Sequence, residues 1–188
     1  MDRESIILKI EKALDKLYVK DWYLLKNKIH ERTITHKIAE YLQEYFTEYD
    51  VDCEYDFDID NHNGNLKKQF HDIATKELNY RKNEINKLIQ NELININDMN
   101  NLIEIFLRNF YPDIIVHKRG TNRQNLLIIE AKKNNNTEFD EKKLIANTRI
   151  NLASGSNLNY NLGCLIILSV GDNFNRKDVI LKYFPQTE

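Results

Sequence analysis

Apolar positions along the chain change their spacing several times, and each change predicts an element. Ile6, Ile7, Ile10, Ala13, Leu14 and Leu17 recur at helical intervals and predict an amphipathic helix from about Glu4 to Tyr18. Asp21 to Leu25 reads as a second short helical piece, with Trp22 and Tyr23 expected in the core. Ile34, Ile38, Leu42 and Tyr45 form a third stripe, over about Glu31 to Phe46. One turn back from Ile34 and Thr35, Glu31 falls on the same side, so an acid stands at the inner edge of an apolar stripe. Glu40, Glu44 and Glu48 point away from it, and His36 faces elsewhere, as a surface or substrate-contact residue.

The period then shortens to two. Asp50 to Phe57 alternates polar and apolar residues and predicts a half-buried strand with Val51, Cys53, Tyr55 and Phe57 inward. Asn61 to Asn65, with Gly64, is a turn, and residues 66–110 return to a helical, heavily charged pattern that interrupts the strand order. Two apolar runs of strand length follow, Asp113 to His117 and Leu126 to Ala131, flanking a polar connection with Gly120, so a β-hairpin is expected. Thr137 or Asp140 caps a further helix running to about Leu152. Leu162 to Val170 reads as a buried strand, and Val179 to Phe184 as a last one ending at Pro185.

Length and composition bound this picture. A chain of 188 residues and 22.4 kDa, 41% hydrophobic, suits one well-buried domain, with residues 1–28 as a helical extension and 66–110 as a helical insertion. A formal net charge of -2 excludes binding of nucleic acid through an overall basic field, so any such binding needs a local patch, metal ions or an oligomer. Cys53 and Cys164 sit inside expected strands and read as buried thiols of a reducing compartment. The N-terminus opens on Asp2, Arg3 and Glu4 with no secretory pattern, and the longest apolar stretch is half of a membrane span, so a cytoplasmic location is expected and membrane association is not.

Candidate chemistry centres on the hairpin. Asp113 begins its first strand, while Glu130 and Lys132 end its second and share one face, because residues two apart on a strand point the same way. Antiparallel pairing therefore brings two carboxylates and an ammonium to one end of an apolar sheet. Pro112-Asp113, a hairpin, then Glu130-Ala131-Lys132, each half preceded or followed by apolar residues, resembles the PD-(D/E)xK nuclease superfamily. With the insertion removed, the expected order from Glu31 to Val170 is αβββαβ, which is also the core order of that family.

The resemblance implies an α/β fold with a restriction-endonuclease-like core and mixed sheet. It implies a metal-dependent nuclease acting on nucleic acid, most simply DNA, with Mg²⁺ (or Mn²⁺) as cofactor. Asp113 and Glu130 would be metal ligands, the carbonyl of Ala131 a third, and Lys132 would orient or help deprotonate the attacking water and stabilise developing negative charge. Glu31 matches the helix acid that joins the metal site in this family; the competing reading is an acid that stabilises its own helix N-terminus. Lys118, Arg119, Arg123, Lys133, Lys142, Lys143 and Arg149 are the candidate nucleic-acid contacts. A homodimer is compatible with cutting both strands. The alternative function is a catalytically silent nuclease fold that binds nucleic acid or a protein partner.

Overall fold

Helical stripes and apolar strand runs combine into a mixed α/β architecture. A computed structural model of the chain describes residues 1–55, 111–121, 123–148 and 159–185. The order is α1 (Arg3–Lys20), α2 (Trp22–Lys26), α3 (Glu31–Tyr45), β1 (Asp50–Cys53), β2 (Ile114–His117), β3 (Leu127–Lys132), α4 (Glu138–Asn147), β4 (Leu162–Ile167), a 3-10 turn (Arg176–Asp178) and β5 (Ile180–Phe184). The expected helical insertion at 66–110, the Asn61 to Asn65 turn, Phe57 and Arg149 lie outside the described residues.

The strands form one five-stranded sheet in the order β1-β2-β3-β4-β5. β3 and β4 are parallel and the other neighbours antiparallel. A parallel pair needs a crossover, and α4 lies in that connection. The three central strands are apolar on both faces because both are covered. Ile114, Val116, Leu127, Ile129, Ala131, Leu162, Cys164 and Ile166 pack with the stripes of α1 and α3 in one core, which also takes Leu25, Phe46 and Leu168. The other face carries Ile115, Ile128 and Leu165, all buried, and Leu144 of α4. Gly163 marks the close approach: a Cβ there would lie 3.0 Å from Thr148 Cγ2, 3.3 Å from Phe184 Cβ and 3.4 Å from Leu144 Cβ.

Capping accounts for where the long helices start. Asp2 Oδ1 accepts from the Ser5 N–H at 2.8 Å to open α1, and His30 Nδ1 accepts from the Arg32 N–H at 3.3 Å to open α3. Three expectations need correction. β1 stops at Cys53, because Glu54 takes a left-handed φ of 49° and turns the chain. Of the two cap candidates, Thr137 does hold the N-cap position of α4, though its hydroxyl turns to Glu141 instead of the backbone, while Asp140 lies within the helix. That helix ends at Asn147, since Thr148 is extended and bridges to Tyr160. Trp22 and Tyr23 are exposed, not core, because Leu25 alone in α2 is turned fully inward. Cys164 is buried and Cys53 only half-buried, and both are free thiols. No helix among the described residues is long and apolar enough to cross a membrane.

Candidate active site

The antiparallel register of β2 and β3 pairs Ile114 with Ile129, and its continuation sets Asp113 opposite Glu130. At this end of the sheet β2 has run out and the Ala131 N–H has no strand partner on that side. Asp113 supplies one: its Oδ2 accepts from the Ala131 N–H at 2.8 Å. A strand residue sends its N–H and C=O to the same side, so the Ala131 carbonyl is directed there too. Burial raises the Asp113 pKa despite that hydrogen bond and the nearby Lys143 and Lys132 ammonium groups.

Glu130 and Lys132 face the side of the sheet covered by α4, while Ala131 joins the core beneath α1 and α3. The Glu130 side chain is 1% exposed, and its Oε1 forms an ion pair with Lys143 Nζ at 2.8 Å. Neither oxygen has a well-formed hydrogen bond among the described residues, so Oε1 is held by the charge of Lys143 and Oε2 by nothing. Burial pushes the Glu130 carboxyl well above its ordinary range; Lys143 opposes the shift, and Asp113 and Asp140 reinforce it. Lys132 Nζ lies 3.4 Å from Glu31 Oε1 and 3.5 Å from Asp140 Oδ1. Burial works against its charge, but Asp113, Asp140 and Glu31 outweigh that and raise its pKa, so the ammonium is held protonated.

Glu31, the first residue of α3, reaches the cluster from the opposite layer. Its Oε2 accepts from the Lys133 N–H at 3.1 Å and its Oε1 faces Lys132. The cluster thus grades from solvent to interior, with the side chains of Glu31 and Lys132 at 26% and 23% exposure and Glu130 sealed. Glu40 is exposed and paired with Lys37 at 2.7 Å, away from the cluster. His36 is exposed and lines a groove between α3 and β1 with Glu40 and Cys53.

The expected nucleic-acid contacts divide. Lys118, Arg119 and Arg123 follow β2 at its far end, and the length of β2 separates them from Asp113. Arg119 is bound there by Asp52 through Nε at 2.9 Å and through Nη2, beside His117, whose Nε2 is 2.9 Å from the same carboxylate. Lys133 Nζ donates to the carbonyls of Lys28 at 3.3 Å and Ile29 at 3.0 Å, securing the turn before α3. Lys142 is exposed and lies 3.0 Å from Glu138. Lys143, expected at the surface, is buried on Glu130, because it shares the inward face of α4 with Asp140, Leu144 and Asn147. Asp140 and Lys143 are therefore site residues that the spacing of hairpin acids did not point to; the available signal was a polar stripe at core intervals on α4.

Four carboxylates, Glu31, Asp113, Glu130 and Asp140, are spread around two ammonium groups, Lys132 and Lys143, an excess of two negative charges when all are ionised. No three His, Cys, Asp or Glu side chains among the described residues converge as a metal-holding group. Comparison of the chain with family models, with curated proteins and with solved structures gives no match.

Proposed function

We propose that this protein is a metal-dependent nuclease of the PD-(D/E)xK type, with a restriction-endonuclease-like core running from α3 through β1, β2, β3 and α4 to β4. The observation that carries the reading is Glu130: a sealed carboxylate with an unpartnered Oε2, on the same strand face as Lys132 and opposite Asp113 at the end of the sheet. An orphaned buried oxygen is costly unless something binds it.

The donor set suits a hard divalent cation. Asp113 and Glu130 would supply carboxylate oxygens, Ala131 a carbonyl, and Glu31 a further acid at the open side, and a cation of the Mg²⁺ kind needs only one or two carboxylates from the protein. When bound, Mg²⁺ or Mn²⁺ supplies a Lewis acid at the phosphate and a more acidic water. Lys132, held protonated by three acids, orients that water and stabilises negative charge building on the phosphate; it does not accept the proton. Asp140 holds Lys132 in place, and Lys143 fixes one Glu130 oxygen so that the other is presented.

The test is incubation of the purified chain with linear, supercoiled and single-stranded DNA and with RNA, in Mg²⁺, Mn²⁺ or EDTA. Cleavage is expected with metal and absent in EDTA, and Asp113→Ala or Lys132→Ala should lower it by about 10²-fold or more. If no polymer is cut under any metal, or if those variants cut as well as the parent, the reading is wrong. One observation favours a silent, binding-only fold instead: Lys143 already neutralises Glu130. That reading predicts metal-independent retention of nucleic acid that weakens steeply with salt.

A further inference from the structure

We infer that the end of α1 together with α2 forms a docking platform for unpaired nucleic acid, with bases stacked on Trp22 and Tyr23 and phosphates held by Lys20, Lys26 and Lys28. The inference rests on the nuclease reading and names its substrate class as single-stranded segments, whether free strands or frayed ends.

The platform is a product of helix geometry. At about 100° per residue, Trp22, Lys26 and Tyr23 fall within one arc, and Leu24 and Leu25 lie opposite it. Leu25 is accordingly buried, while Trp22 is 45% and Tyr23 61% exposed. Their rings stand 6.0 Å apart at 75°, and Lys26 Nζ lies 6.0 Å from the Trp22 ring. Trp22 and Tyr23 thus leave about half of their surface in water beside each other, an apolar area that the core of this chain does not cover.

Charge points to a polyanion. Lys20, Lys26 and Lys28 are exposed, and none forms an ion pair among the described residues. Asp21, the acid within this stretch, accepts from the Tyr41 hydroxyl. In a chain with net charge -2, these three lysines within nine residues of sequence flank the two aromatics, and Lys26 stands over Trp22 itself. Phosphate contacts alone need no exposed rings, and paired bases hide their π-faces, whereas unpaired bases stack on Trp and Tyr while lysines follow the backbone. A second copy of the chain is a poor occupant, since it would bring the same unpaired ammonium groups face to face.

The patch also adjoins the acid cluster. The turn after α2 gives the carbonyls of Lys28 and Ile29 to Lys133 Nζ, and the next residues lead into Glu31, whose carboxylate accepts from the Lys133 N–H. The Gly171 N–H donates to the Leu25 carbonyl at 3.0 Å, tying α2 to the chain beyond β4. A strand held on α2 is therefore held at the end of the sheet that carries Asp113 and Lys132.

Trp22 is the single tryptophan of the chain, so its fluorescence reports this surface alone. Titration of the full chain in EDTA with a short oligothymidylate should quench it saturably, with a salt slope of about −2 for three phosphate contacts. A blunt duplex of equal length should quench it little. By anisotropy of a labelled oligothymidylate, Trp22→Ala and Tyr23→Ala should each weaken binding by about 5- to 150-fold, and Trp22→Phe should retain most of it. No quenching at saturating oligonucleotide, or equal quenching by the duplex, overturns the platform. Self-association abolished by Trp22→Ala assigns the surface to a second copy and overturns it too. Because EDTA separates binding from cutting, quenching without cleavage under any metal removes the nuclease and keeps the platform, and cleavage without quenching does the reverse.

Discussion

A carboxylate with one ammonium neighbour and no access to water depends on that neighbour, and Glu130 stands in this position against Lys143. Lys143→Met leaves the acid buried and unpaired, and urea unfolding at alkaline pH, where the acid is ionised, should show a loss of about 3–5 kcal/mol that shrinks toward acid pH as the carboxyl takes up a proton. Adding Glu130→Met to that variant should recover most of the loss, since an apolar pair of similar volume carries no desolvation cost. The pH dependence follows from the raised Glu130 pKa. The folded state keeps a proton that the unfolded chain releases above its ordinary value of 4.5, so stability contributed by Glu130 is present below that pH and is lost as pH rises toward the folded value. In EDTA, the melting temperature of the parent should therefore fall relative to Glu130→Gln as pH rises above the ordinary carboxyl range; parallel curves would show that Lys143 keeps the acid ionised throughout. Asp113, Glu130 and Lys132 were legible as a set because strand alternation fixes faces from spacing alone. Asp140 and Lys143 were not, because a charged residue at a core interval of a helix looks like a solvated one until its partner across the layer is known.

At the scale of elements, α1 and α3 were legible because each has a single apolar stripe, and the outcome needed only one covered face. Strand ends were less so, because a partner decides them: β4 ends at Ile167, opposite Lys132, where β3 also ends. The short α2 failed at Trp22 and Tyr23 for a related reason, since five residues carry too little periodicity to say which side is buried. α4 and β4 meet at Gly163, and their spacing depends on a missing side chain. Gly163→Ala must displace Thr148, Phe184 or Leu144, and equilibrium unfolding should show a cost of about 1–3 kcal/mol. Because α4 carries Asp140 and Lys143, the nuclease proposal expects the same variant to reduce cleavage without touching a site residue.

Over the whole molecule, the proposed metal site predicts that a divalent cation stabilises the fold. At about 100 times its Kd, Mg²⁺ or Mn²⁺ should add about 2.7 kcal/mol, a rise of roughly 5–10 °C for a chain of this size. Calorimetry should find that EDTA removes the rise and that Asp113→Asn nearly abolishes it. The sheet also joins distant parts of the chain: Glu31 meets Lys132 across 101 residues, and the Tyr18 hydroxyl donates to the Ser169 carbonyl across 151 at 2.7 Å. Such separations make folding slow relative to helical proteins of similar size. They also impose an order during synthesis. At roughly 5–20 residues per second, about 5–20 s pass between the emergence of Glu31 and that of Lys132. For that interval the stripes of α1 and α3 have no β3 or β4 to cover, so the apolar faces that later close the core stand open to water until the strand that carries Glu130 and Lys132 arrives.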